Sequence, residues 1–161
     1  MRHIDSVLKN LLDACAGHYG ERLVSLAVFG SVGRGTPRPD SDIDLLVVAE
    51  KLPRGRINRV REFWAVEKAF RALPTAELQG FPPMDLSPVI KTPEEAELGS
   101  PLFLDMTEDA RILFDRDGFL AERIRRLKSR LESLGSKRIW KGSAWYWDLK
   151  PDFRPGEVFE L

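Results

Sequence analysis

The chain has 161 residues, of which 43% are hydrophobic and 31% are charged, a balance that fits one folded globular domain and excludes a disordered chain. Lys plus Arg and Asp plus Glu each number 25, so the net charge gives no reason to expect direct nucleic-acid binding. One cysteine excludes an internal disulfide, and no apolar stretch approaches the roughly 20 residues of a membrane helix, so we expect a cytoplasmic protein without a membrane partner.

The first half of the chain is predicted to form a helix, two strands and a second helix. Apolar residues at helical spacing predict a first helix from about residue 4 to the glycines at 17 and 20. Short apolar runs predict buried strands over residues 23–29 and 42–48. The loop between them is rich in glycine and proline, which excludes regular structure for most of it. A second helical stripe starts at residue 57 and is expected to end before Pro74.

The second half is predicted to contain a third strand, a helix start, a short strand and a last helix. The third strand covers residues 84–90, and Pro88 favours an edge position for it. Thr92, Pro93 and Glu95 are typical of a helix start. A short strand and turn follow near residues 110–118, and an apolar stripe predicts a last helix through residues 124–134. This order predicts an α+β fold, a small mixed sheet flanked by helices.

An aromatic tail follows the last predicted helix. We expect a domain over residues 1–136 and a tail over residues 137–161, in which we find no clear period. Trp140, Trp145, Tyr146 and Trp147 lie within eight residues of one another. The tail either packs back on the domain or anchors another protein, since Trp and Tyr are favoured at interfaces. Both interpretations remain open.

The loop of residues 30–40 matches neither of the common phosphate-binding patterns. A P-loop requires a lysine where Thr36 stands, and the dinucleotide fingerprint requires a glycine where Arg38 stands. Because both missing residues have a physical role in those motifs, we set both interpretations aside.

A different spacing in this region indicates a site that binds phosphate and metal. Gly30 and Ser31 are followed, after ten residues, by the pair Asp42 and Asp44, which one residue separates. Side chains alternate along a strand, so the two acids lie on the same face, where their like charges resist burial. A divalent cation such as Mg²⁺ removes that penalty. Backbone amides and the hydroxyl at the end of the preceding strand would bind a polyphosphate, because glycine allows close approach.

The segment "FGSVGRGTPRPDSDIDLLVV" resembles the nucleotidyltransferases of the DNA polymerase β superfamily, above all the minimal group called MNT domains. Its "GS", "RG" and "SDIDL" stand in register with the family's motifs. The resemblance implies a polymerase β-type fold in which Asp42 and Asp44 bind Mg²⁺, with two ions expected. Asp85, in "MDLSPVI", is implied as the third catalytic and metal-binding carboxylate. The implied nucleotide-binding residues are Gly30, Ser31, Arg34, Gly35 and Ser41.

The family's reaction is attack of an acceptor hydroxyl on the α-phosphorus of a nucleoside triphosphate, with pyrophosphate leaving. We expect AMP transfer from ATP, with Asp85 helping to deprotonate the hydroxyl and Arg34 neutralising phosphate charge. Because small MNT proteins are often antitoxins of HEPN-domain ribonucleases, the resemblance implies a HEPN toxin as partner and a tyrosine of it as acceptor. Two alternatives stay open: a non-catalytic antitoxin that acts by contact, and an aminoglycoside-like enzyme with a small-molecule acceptor. A polymerase is not expected, because the charge is balanced and there is no room for template-binding domains.

Overall fold

The computed structural model describes residues 2–38, 40–72, 84–142 and 144–161. In chain order the helices and strands are α1 (Arg2–Tyr19), β1 (Leu23–Val28), α2 (Gly30–Gly33), β2 (Ile43–Ala49), α3 (Arg56–Ala72), β3 (Leu86–Lys91), α4 (Pro93–Glu97), α5 (Leu102–Asp109), β4 (Arg111–Asp115), α6 (Phe119–Ser133), β5 (Lys137–Lys141) and β6 (Ala144–Asp148). None of the helices described is long and apolar enough to cross a membrane.

Four strands form one mixed sheet in the order β3-β2-β1-β4. Strand β1 pairs antiparallel with β2 and with β4, and β2 pairs parallel with β3, with Asp44 opposite Ser87. Strand β3 lies at an edge, as Pro88 predicted, because proline cannot donate to a second neighbouring strand. The predicted α+β class, with a small mixed sheet flanked by helices, is confirmed.

The sheet is covered on both faces. Ile43, Leu45 and Val47 of β2 point to a first face that packs against α1 and α3. Leu46 and Val48 point to a second face that packs against α4, α5 and α6. Since every residue of β1 is also buried, the strands appear in the sequence as continuous apolar runs instead of an alternating pattern. By the same alternation Asp44 belongs to the second face.

The predicted start of α4 is confirmed by its hydrogen bonds. The Thr92 hydroxyl accepts from the Glu95 amide at 3.3 Å, and the Glu95 carboxylate accepts from the Thr92 amide at 3.0 Å, with Pro93 in the first turn. This capping box starts the helix directly after the edge strand. Helix α3 is described as far as Ala72, and its predicted end before Pro74 lies outside the described residues.

Two elements differ from the sequence expectation. Helix α5 was not predicted; it buries Phe103 and Met106 against the second face of the sheet. The tail, for which no period was found, contains an antiparallel hairpin of β5 and β6 in which Trp140 pairs with Trp145. The hairpin pattern is hidden because the face that carries these two rings also carries the charged Arg138, so neither face is uniformly apolar. The proposed boundary between residues 1–136 and 137–161 stays a prediction.

Gly33 provides a test of how tightly the loop after β1 packs on α5. A Cβ at this position would lie 2.0 Å from the Asp109 carbonyl oxygen and 3.1 Å from that of Val28, both in the backbone. We expect Gly33→Ala to destabilise the protein by about 1–3 kcal/mol, because the backbone must move apart. Gly17→Ala is the matched control: it lies in α1 with nothing within 4 Å, so it should be neutral or slightly stabilising. Urea midpoints measure both, and equal midpoints for the two variants would contradict the packing.

Candidate active site

The loop that follows β1 lies directly against β2 at Asp44. The Phe29 amide donates to the Asp44 carbonyl at 3.0 Å. Gly30 comes next, with a φ of +64°, and a Cβ there would lie 2.4 Å from Oδ2 of Asp44. Only glycine fits this backbone conformation and this contact without displacing the carboxylate. The first residue of the G-S motif therefore packs against the second acid of the D-x-D motif.

The two acids of that motif lie on the same side of the sheet. Asp42 is exposed just before β2, Asp44 is partly buried within it, and Ile43 between them points into the core of the first face. Burial raises the pKa of Asp44, and the nearby Asp42 charge raises it further, while a hydrogen bond with Ser87 and the Arg34 charge oppose the shift. The ionised carboxylate of Asp44 is therefore less favourable at this position than it would be in water.

The backbone of Asp85 lies beside this acid pair, but its side chain does not. Its carbonyl accepts a hydrogen bond from the Ile43 amide at 2.8 Å, directly before β3. Its carboxylate, which is 74% exposed, instead pairs with Arg71 at the end of α3, at 2.7 Å. Among the residues that the structure describes, no three His, Cys, Asp or Glu side chains are grouped closely enough to hold a metal ion. The implied third carboxylate is therefore near the site but turned away from it.

The acid pair nevertheless fits a divalent cation. Asp42 and Asp44 offer carboxylate oxygens, the ligands that Mg²⁺ prefers. A cation between them would offset both the burial and the repulsion that raise the pKa of Asp44. Asp85 would join such a site only after its pair with Arg71 opens.

Arg34, an implied phosphate ligand, lies between the acids and the tail. Its Nη1 donates to Oδ2 of Asp109 at 2.8 Å, and its Cζ lies 5.0 Å from the ring centroid of Trp145. Its charge lowers the pKa of Asp44, which places the guanidinium within electrostatic range of that carboxylate. Asp109 also accepts from Nη1 of Arg138 at 2.9 Å. Arg34 is thus held by residues of α5 and of the hairpin while its charge also acts on Asp44.

The remaining implied nucleotide-binding residues shape the loop. Ser41 accepts from the Arg38 amide through its hydroxyl, at 2.9 Å, and so closes the turn before the acids. Gly35 has a φ of +74°, and the carbonyl of Ser31 accepts from the Thr36 amide at 2.9 Å. Their contact with a nucleotide stays a prediction.

Four residues of this region were missed by sequence reasoning. Ser87 had a signal, since it follows Asp85 by two residues in the predicted third strand, where alternation predicts that both side chains point to one face. Asp109, Arg138 and Trp145 had no local signal for this role, because they meet Arg34 only through tertiary packing: Asp109 lies 75 residues from Arg34, and Arg138 a further 29 residues along the chain.

Comparison with known proteins gives sequence relatives. A profile of the nucleotidyltransferase domain matches residues 8–113. A Methanocaldococcus jannaschii protein, MJ1305, provisionally named a protein adenylyltransferase, is 32% identical over 127 residues. The matched region covers 78% of this chain and 81% of that protein.

Solved structures also contain similar chains. One, from a toxin–antitoxin crystal structure with AMP-PNP, is 16% identical, and the match covers 80% of this chain and 92% of that chain with a TM-score of 0.49. Another comes from a tri-AMPylated Shewanella oneidensis HEPN toxin in complex with an MNT antitoxin. It is 13% identical, with coverages of 82% and 92% and a TM-score of 0.47.

Two glycines with similar backbone conformations test the contact between the loop and the acids. Gly30→Ala and Gly35→Ala both place alanine at a positive φ, which costs about 1–2 kcal/mol in either case. Only at Gly30 does the new Cβ meet Asp44, whereas space around Gly35 is open. We expect Gly30→Ala to weaken Mg-ATP binding at least about tenfold more than Gly35→Ala, as measured by calorimetry. Equal losses in both variants would contradict the contact of Gly30 with Asp44 as the cause of the weaker binding.

The raised pKa of Asp44 predicts a pH-dependent gain in stability when its charge is removed. A carboxyl whose pKa is raised on folding contributes stability below its unfolded pKa and loses it as the pH rises through the folded pKa. Without metal, Asp44→Asn should therefore melt above wild type at neutral pH, and the difference should vanish near about pH 3.

Asp152→Asn is the control of opposite sign. A hydrogen bond from Lys150 lowers the pKa of Asp152, so its charge contributes stability above the unfolded pKa, and this contribution is lost as the pH falls. Thermal melts across pH compare both variants with wild type. An Asp44→Asn protein that is less stable than wild type at neutral pH would contradict the electrostatic account of the site.

Proposed function

The chain belongs to the nucleotidyltransferase domain family, and from this premise we propose that it transfers AMP from ATP to a hydroxyl group of a partner protein. The observation that carries the proposal is the contact of Gly30 with Asp44, which brings a candidate phosphate-binding turn against a candidate metal-binding acid pair. The relationship to a provisionally named protein adenylyltransferase supports both the nucleotide and the kind of acceptor.

In this proposal the substrate is bound from two sides. The amides and hydroxyl of Gly30 and Ser31, together with the Arg34 guanidinium, bind the triphosphate through charge-assisted hydrogen bonds. Asp42 and Asp44 would hold Mg²⁺, two ions being expected, and a bound cation would supply positive charge against the phosphate oxygens. The partly buried position of Asp44 favours cation binding, since binding removes an electrostatic cost that the free protein carries.

The transfer itself is a single displacement at phosphorus. The acceptor oxygen forms a bond to the α-phosphorus while the bond from that phosphorus to the oxygen bridging the β-phosphate breaks. Pyrophosphate leaves with the bonding electron pair, and the proton of the acceptor hydroxyl passes to the carboxylate of Asp85. Asp85 takes this role once its exposed ion pair with Arg71 opens and its carboxylate turns toward the acid pair.

A covalent enzyme intermediate is not proposed. The chain's one cysteine, Cys15, is buried in the core of the first face, and burial raises the pKa of its thiol to about 12. Such a thiol is neither ionised nor accessible at neutral pH. Direct attack by the acceptor therefore explains the arrangement with fewer steps.

The proposed acceptor is a tyrosine of a HEPN-type toxin, and the proposed cellular role is that of an antitoxin in the cytoplasm. Support for this partner comes from the resemblance of "GSVGRG" and "SDIDL" to MNT domains. The second candidate is inhibition of the same partner by contact alone. The observation that favours it is the Arg71–Asp85 ion pair, which keeps the third carboxylate away from the other two.

Intact-mass measurement separates these functions. The purified chain, ATP and Mg²⁺ are incubated with a HEPN-type protein, the proposed partner, and both proteins are weighed. We expect the partner to gain one or more AMP units with release of pyrophosphate. Asp44→Ala should abolish the gain, because the acid pair is incomplete, whereas the exposed control Asp152→Ala should retain it.

Other outcomes decide between the alternatives. A partner that is inhibited but unmodified would support the contact-only function. A partner that is neither modified nor inhibited, combined with transfer of AMP to an aminoglycoside, would support the small-molecule acceptor.

A further inference from the structure

The C-terminal hairpin, made of β5 and β6, is fastened to the domain beside the candidate active site. The indole nitrogens of Trp145 and Trp147 both donate to Oδ1 of Asp105 in α5, at 2.8 and 2.9 Å. Trp147 also packs against the hydrophobic core of the second face. The hairpin is therefore placed by specific contacts, and its inner face lies over the end of α5.

On the same face, two guanidinium groups share one carboxylate. The Asp109 carboxylate, only 3% exposed, accepts from both Arg34 and Arg138 through one oxygen, so one carboxylate serves two guanidinium groups. Among the described residues, Asp109 is the carboxylate that hydrogen-bonds both groups, and Asp44 interacts with Arg34 only through its charge. In the described part of the chain each guanidinium makes this single side-chain hydrogen bond, although arginine has five N–H donors. The remaining donors are available to a ligand.

The two guanidinium groups lie close to the turn formed by Gly30 and Ser31. The Arg34 amide donates to the Gly30 carbonyl at 3.0 Å, so Arg34 lies one helical turn after the glycine that contacts Asp44. The Trp145 ring lies 5.0 Å from Cζ of Arg34 and 5.3 Å from Cζ of Arg138. Both guanidinium groups therefore contact one ring and one carboxylate, next to the turn assigned to the triphosphate.

Attachment of the hairpin to the domain does not by itself explain why two arginines contact Asp109. A hairpin could be attached by one arginine on Asp109, which would leave the buried pair neutral. A second guanidinium at the same oxygen adds a cation to a largely buried place. Its contacts with the rings of Trp140 and Trp145, at 5.1 and 5.3 Å, offset part of that cost, and a bound anion would offset more. The anion that the proposed function brings to this place is a polyphosphate, and guanidinium groups bind phosphate oxygens in pairs of parallel hydrogen bonds.

We propose that the C-terminal hairpin completes the nucleotide site, with Arg138 supplying a second guanidinium to the triphosphate beside Arg34. Asp109 and Trp145 act as positioning residues that hold the two guanidinium groups side by side. This inference rests on the proposed function, because it requires that ATP binds at the turn of Gly30 and Ser31. It assigns a binding role to the tail.

Calorimetry with ATP and with adenosine tests the proposal on the full-length chain. Arg138→Gln should weaken ATP binding about tenfold or more, because charge-assisted hydrogen bonds to phosphate are lost, and should leave adenosine binding unchanged. Arg125→Gln is the matched control: it removes the same charge from an exposed arginine of α6 that pairs with Glu122, and it should bind ATP like wild type.

The failures of the two proposals are distinguishable. If wild type binds ATP and Arg138→Gln binds it equally well, the inference is overturned and the proposed function stands. If Arg138→Gln weakens ATP and adenosine equally, the hairpin acts only on the fold, which also overturns the inference. If wild type binds no ATP, both proposals are overturned.

A second measurement needs no variant of Arg138, in case that variant does not fold. In the wild-type chain, ATP should slow hydrogen exchange of the β5 amides (Lys137–Lys141), and adenosine should not. Exchange in β5 that ATP leaves unchanged would overturn the inference.

Discussion

The burial of Asp44 next to the charge of Asp42 is the constraint around which this part of the molecule is arranged. Strand β2 is buried on both faces, and Asp44 is its one carboxylate. The structure compensates in part: Ser87 hydrogen-bonds to Asp44 from the parallel neighbour β3, and Arg34 attracts it from the loop. The compensation is incomplete, since the pKa of Asp44 remains raised. An incompletely compensated acid pair at a strand end costs stability in the free protein and is an advantage only if a cation binds there.

A second constraint lies on the other side of the loop, at Asp109. Its carbonyl oxygen leaves no room for a Cβ at Gly33, and its carboxylate holds Arg34 and Arg138. The loop is thus enclosed between Asp44 on one side and the end of α5 on the other. Two of its glycines are required by these close approaches, at Gly30 and at Gly33, so they follow from packing as well as from turn geometry. The hairpin is attached at this same place, which couples the tail to the loop.

Much of the fold could be predicted from the sequence, because the patterns that indicate its helices and strands involve only residues that are close together in the chain. The buried runs of β1 and β2, the stripe of α6 and the capping box at Thr92 depend only on neighbouring residues. The same-face arrangement of Asp42 and Asp44 follows from strand alternation. The hairpin could not be predicted in this way, since its inner face mixes Trp140 and Trp145 with Arg138 and has no apolar period. Its binding partners, Asp105 and Asp109, lie in a helix that was itself missed.

Asp85 shows where local reasoning reaches its limit, and its ion pair with Arg71 determines what its carboxylate must do before it can take part in the proposed reaction. Its backbone position was foreseen, but the pair with Arg71 depends on how α3 ends and is not encoded by spacing. That pair is largely exposed, with side-chain exposures of 43% for Arg71 and 74% for Asp85, and exposed pairs contribute only about 0–1 kcal/mol. Opening it for an acceptor or a cation therefore costs little. The Arg34–Asp109 pair differs, because its carboxylate is buried and removal of Asp109 would leave both Arg34 and Arg138 without their carboxylate partner. The two ion pairs beside the site are thus suited to opposite tasks, one to exchange during a reaction and the other to hold a guanidinium in place throughout it.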